Sequence, residues 1–109
     1  ASWSRGLGDV YKRQMEDVVR KVVEVTGVDE NNMVGKSRKK EFVEARQTAM
    51  FLCRSLLNTS LSSVGMYFGG RDHTTVMHAI KTIEQKKTKE EKINKTINQI
   101  TSTFSSNLL

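Results

Sequence analysis

Apolar positions along this chain recur at helical rather than strand-like spacing. Between Met15 and Thr26 the valines at 18, 19, 22, 23 and 25 mostly fall three and four residues apart, which predicts an amphipathic helix despite their β-branching, and Gly27 ends it. Val28 to Lys40 loses the period and is expected to be a polar connector. From about Glu41 to Leu57, Val43, Ala49, Met50, Cys53, Leu56 and Leu57 form an apolar face that Phe42 and Leu52 widen, predicting the longest helix with Arg46, Gln47 and Arg54 off the stripe. Ile93, Ile97, Ile100 and Phe104 make a narrow stripe on a final helix that packs back on the others. With no proline, no repeat and no useful strand-like alternation, the expected fold is an all-α helical bundle.

Two short helices joined by a glycine turn stand at the centre of this arrangement. Ser60 is placed to N-cap a helix over Leu61 to Phe68, and Gly69-Gly70 permits a sharp change of direction because glycine accepts positive φ without strain. Asp72 is the expected N-cap of the next helix, His73 to about Lys86, since its carboxylate accepts from the opening N–H groups and meets the positive end of the dipole. That helix carries Val76, Ala79, Ile80 and Ile83 on one side and Thr74, His78 and Lys81 on the other. A buried stripe with small hydrogen-bonding residues outside is the layout by which a helix-turn-helix sets its second helix against base edges in the major groove.

Charge sharpens this picture. The chain of 109 residues has formal net charge +6, and between Lys36 and Lys81 eight basic residues face three acidic ones. Nearly all the excess thus falls in the segment that carries the helix pair, which favours a polyanionic partner. An anionic membrane surface fits less well, because the charges do not line one amphipathic helix, and no apolar run approaches membrane-spanning length. Residues 1–14 have no sustained period and are expected to be a disordered leader or an appended tail, leaving 15–109 as one domain with Met15 a natural start. Cys53 is the only cysteine, so no intrachain disulfide can form and a cytoplasmic location is the default.

Catalysis finds little support. Asp72, His73 and Ser60 or Thr75 are the residue types of a nucleophilic triad, but Asp72 and His73 are neighbours at a helix start and cannot easily point at one another. His73 and His78 are five apart and do not share a helix face as metal ligands would, and Gly69-Gly70-Arg71-Asp72 lacks the spacing of a phosphate-cradling loop. The expectation is a non-enzyme with no cofactor, no metal and no small-molecule substrate.

Phe68-Gly69-Gly70-Arg71-Asp72-His73-Thr74-Thr75-Val76 with His78-Ala79 resembles the signature of the C-terminal DNA-binding domain of the bacterial replication initiator DnaA. Ala45-Arg46-Gln47 and the basic Lys36-Ser37-Arg38 agree in order and spacing, so the resemblance covers about Met15 to the C-terminus. It implies a Trp-repressor-like bundle whose helix-turn-helix binds double-stranded DNA, as a monomer, at one asymmetric A/T-rich origin-type box. It implies base contacts from Asp72, His73, Thr74, Thr75 and His78 in the major groove and from Arg38 in the minor groove. Phosphate contacts would come from Arg46, Gln47, Arg54, Arg71 and the backbone at Leu61 and Ser62, Arg71 being as readily a helix C-terminal cap. Ser62 and Ser63 stand where the family often has proline and glutamate, which predicts a weaker capping box on the first of the paired helices. The nucleotide-binding module of the full-length initiator has no counterpart in the sequence, so this is either a fragment or a free-standing domain, cytoplasmic and nucleoid-associated, that starts or regulates replication. A dimeric regulator on a palindrome and a basic module for an acidic protein are the alternatives.

Overall fold

The computed structural model describes the backbone of residues 7–108 and the side chains of residues 13–104. Six helices follow in order: α1 (Leu7–Thr26), α2 (Glu30–Val34), α3 (Lys40–Leu57), α4 (Leu61–Tyr67), α5 (His73–Lys89) and α6 (Glu91–Leu108). No strand occurs among the described residues, as an all-α bundle requires. α3 is the central rod, packing against each of the other five helices. Its Ala49, Leu52 and Cys53 are fully buried, and burial pushes the Cys53 thiol pKa far up, which makes it an inert core residue.

Side chains buried from every direction close around that rod. α1 contributes Met15, Val18, Val19 and Val22, and α6 contributes Ile93, Ile97 and Ile100, the stripe expected there. Phe104 is only partly buried against the same core. Each fully buried valine, isoleucine or methionine contributes about 1.5–3 kcal/mol relative to exposure, so the helices are held chiefly through these faces rather than by propensity.

Two elements differ from expectation. α1 begins at Leu7 rather than Met15, so the backbone of residues 7–14 continues the helix, and at 20 residues α1 is longer than the 18-residue α3 that was expected to be the longest; residues 1–6 lie outside the described residues. The stretch from Val28 to Lys40 is not wholly irregular either, because α2 forms within it. Asp29 caps that helix by accepting from the Asn31 N–H at 3.1 Å, and Met33 anchors it with no exposed surface. Five residues are too few to stand alone as a helix, so α2 depends on Met33 and on the two arginines described next.

Candidate nucleic-acid interface

Local rules build the helix pair. Ser60 accepts from the Ser63 N–H at 3.1 Å, and the two hydroxyls share a 2.9 Å hydrogen bond, so Ser63 adds a second polar tie at the helix start where a capping-box carboxylate would reach back. α4 ends in a turn where Gly69 and Gly70 take φ of 86° and 77°, and the N–H groups of Gly70 and Arg71 both donate to the Gly65 carbonyl at 3.0 and 2.9 Å. Gly65 itself has to be glycine. A Cβ there would fall inside the van der Waals shell of the Arg71 carbonyl oxygen, so its missing side chain lets the turn fold down onto α4.

α5 starts where expected. Asp72 accepts from the Thr75 N–H at 2.9 Å, and that backbone hydrogen bond, helped by the Thr75 side chain and His73, holds its carboxyl below the usual range. Val76 and Ile83 are fully buried and Ala79 nearly so, which clamps the helix to α3 and α4. On the other side His73, Thr74, Thr75 and His78 are exposed, as is Asp72 before them. The five residues expected to face bases are therefore all exposed around the N-terminal end of a helix fixed from below.

The basic segment lies against the same region, held by arginines with unexpected roles. Arg46 is only 7% exposed; its Nε donates to the Met33 carbonyl at 2.6 Å and its Nη2 to the Asn32 and Ser37 carbonyls at 3.2 and 3.0 Å. Arg71 donates from Nη2 to the Gly35 carbonyl at 2.7 Å, and from Nη1 to the Val34 carbonyl at 3.3 Å and to the Phe68 carbonyl. Both guanidinium groups thus sit at the C-terminal end of α2, where unpaired carbonyls concentrate negative potential. Burial lowers the pKa of each, and the nearby Arg71 charge lowers that of Arg46 further.

These placements bear on two expectations. Arg46 was expected off the buried stripe, but it is buried, and three of its five N–H donors are taken by backbone carbonyls inside the fold. Arg71 takes the capping alternative, joining the end of α4 to the segment after α2. Together they pin Gly35 and Ser37, and so fix the base of the loop that presents Arg38 beside the helix-turn-helix. Arg38 is exposed, and no carboxylate among the described residues pairs with it. Lys39 instead lies over the Phe42 ring, 5.5 Å from its centre.

The other expected phosphate contacts are mixed. Arg54 is exposed while its Nη1 donates to the Thr59 carbonyl at 2.7 Å, which braces the α3–α4 turn and leaves the rest of the fork outward. Gln47 and Leu61 are half-buried and Ser62 is exposed. The first N–H groups of α4 have no intrahelical acceptor, so those of Leu61 and Ser62 remain free to donate to an anion. Lys86, on the far part of α5, is taken up by Glu44 at 3.3 Å.

Comparison with known proteins agrees with this geometry. Residues 15–83 match the family model described as the bacterial dnaA protein helix-turn-helix. The chromosomal replication initiator protein DnaA of Chlorobaculum tepidum is 43% identical over 72 residues, covering 66% of this chain and 15% of that protein. Its counterpart in Thermus thermophilus is 40% identical over 87 residues, covering 75% of this chain and 20% of that protein. The chain therefore spans about a fifth or less of the length of these relatives. Among solved structures, one described as a DNA replication initiation factor superposes with TM-score 0.74 at 28% identity, covering 85% of this chain and 30% of that one. The AMPPCP-bound DnaA of Aquifex aeolicus gives 0.63 at 27% identity, with 92% and 32% covered. The glycine turn, the outward α5 tip and the matched residues agree: the chain belongs to the bacterial DnaA helix-turn-helix family.

Proposed function

We propose that this chain binds double-stranded DNA sequence-specifically at an asymmetric A/T-rich origin-type box, as a monomer, and acts in replication initiation or its regulation. The observation that carries this is the division of α5: Val76, Ala79 and Ile83 are buried while Asp72, His73, Thr74, Thr75 and His78 are all exposed at its N-terminal end. In this reading α5 enters the major groove and α4 crosses the backbone. Asp72 is an exposed carboxylate and so can only accept, which suits a cytosine amino group. Thr74 and Thr75 offer methyls to thymine and hydroxyls to either strand, and the histidines offer ring nitrogens.

Arg38 enters the adjacent minor groove, where A/T-rich sequence narrows the groove and deepens its negative potential. Gln47, Arg54 and the N–H groups of Leu61 and Ser62 hold phosphates. Arg46 and Arg71 act one step back, by setting the loop that carries Arg38. The DNA-binding unit runs over 15–109 and works in the cytoplasm on the nucleoid. None of these contacts involves catalysis, a cofactor or a metal.

Gel-shift titration of the chain against a box, a scrambled box and a palindrome at two salt concentrations tests the reading. The expected result is one chain per duplex with clear preference for the box, and affinity that falls steeply with salt. Equal binding to all three duplexes would point to a non-specific basic surface, and two chains on the palindrome to a dimeric regulator.

A further inference from the structure

Met77 sits exposed in the middle of a polar surface, at 41% of its full accessibility, and only Met66 on α4 matches it among the large apolar side chains of the described residues. Isolated surface methionines are ordinary, so its position rather than its exposure is informative. At about 100° per residue, Met77 follows His73 by four positions and Thr74 by three, and it precedes Lys81 by four. On the helix circumference it lies about 60° from Thr74, with His78 about 40° from Thr74 on the other side, and the buried Val76, Ala79 and Ile83 lie opposite. A duplex that meets His73, Thr74 and His78 must also cover Met77.

Chemistry narrows what Met77 can meet there. A thioether has no donor and is a poor acceptor, so phosphate oxygens and the polar edges of bases leave it unserved. The one apolar group exposed on base edges in the major groove is the thymine 5-methyl. Methionine is flexible and polarisable enough to settle against such a methyl without demanding an exact fit. Its Cα is about 4.5 Å further along the helix axis than that of Thr74, comparable with the 3.4 Å rise of a base pair, so it addresses a neighbouring step rather than the same base.

We infer that Met77 is a specificity-determining residue of this surface, reading a thymine methyl in the major groove. The inference rests on the DNA-binding reading proposed above and extends it to a residue outside the polar set.

Single thymines of a box, enriched from a random duplex pool, are replaced one at a time by deoxyuridine, which removes only the methyl. Affinities are measured for the full chain and for Met77→Ala and Met77→Leu. One replacement should weaken the unaltered chain about fourfold, the equivalent of one buried methylene group. Met77→Ala should lose about as much on the normal box and then be indifferent to that replacement, while Met77→Leu keeps the penalty. Circular-dichroism melts confirm that the variants are folded, as expected for an exposed site. The inference is overturned if every deoxyuridine penalty persists in Met77→Ala, or if that variant weakens box and scrambled DNA equally. A chain that enriches no box at all removes the DNA-reading proposal itself, so the two failures are distinguishable.

Discussion

Replacing Arg46 by methionine separates the two roles an arginine could have here. Methionine keeps much of the buried stem but cannot donate, so the Met33, Asn32 and Ser37 carbonyls lose their partner. A hydrogen bond from a charged donor contributes a net 1.5–3 kcal/mol or so. The 3.2 Å contact to Asn32 is the longest of the three, and water can reach the loop side once the guanidinium is gone, so two bonds at the low end give a loss of about 3 kcal/mol. Against a total stability of roughly 5–15 kcal/mol this is large, and it corresponds to a fall in Tm of about 12–24 °C. Arg46→Lys keeps the charge but not the fork, and should recover no more than about half. Urea and thermal unfolding followed by circular dichroism measure both variants. If Arg46 held phosphate instead, Arg46→Met would melt like the unaltered chain while its slope of log affinity against log salt dropped by about 0.9. That pair of results would refute the clamp.

Other expectations follow from single contacts. Gly65→Ala forces a Cβ onto the Arg71 carbonyl, a backbone atom that cannot swing away, and should cost about 3 kcal/mol or more; a melting curve within a degree or two of the unaltered one would contradict the close approach. Because the folded-state pKa of Asp72 is lowered, its contribution is complete above the ordinary carboxylate range and is lost as pH falls through the lowered value. Asp72→Asn retains a capping oxygen but does not titrate, so urea midpoints should fall less steeply below about pH 4 than in the unaltered chain; parallel acid limbs would argue against the cap. Thr74→Ala should cost about 1–3 kcal/mol on the box and relax its base preference, whereas Arg54→Ala should weaken all duplexes alike and lower the salt slope by about one. Equal losses for both variants on box and scrambled DNA would undo that division.

What the sequence showed and what it hid follow from the range of the interactions. The α5 pattern was legible because Asp72, Val76, Ala79 and Ile83 act within a few residues of one another, and capping and periodicity are local rules. The Ile93, Ile97 and Ile100 stripe was legible for the same reason. α2 was missed because one turn of helix has almost no period, although Asp29 followed by Glu30 was a usable N-terminal signal.

The burial of Arg46 was missed because charge was allowed to outweigh spacing. It stands three and four residues before the buried Ala49 and Met50, and an uncharged residue at that position would have been read as inward. Its partners lie 9 to 14 residues away, and those of Arg71 on the α2 side lie 36 and 37 away, distances over which no local rule carries information. Gly65 was passed over because an isolated glycine in a short helical pattern does not reveal that a later turn will press against it.

Enrichment of duplexes from a random pool by the chain, run beside Thr74→Ala and Arg38→Ala, tests most directly whether the α5 tip and the basic loop read one stretch of DNA. The expected outcome is a single asymmetric A/T-rich consensus whose major-groove positions blur in Thr74→Ala and whose flanking A/T tract blurs in Arg38→Ala. A pool that stays random, or a consensus untouched by either substitution, would contradict it.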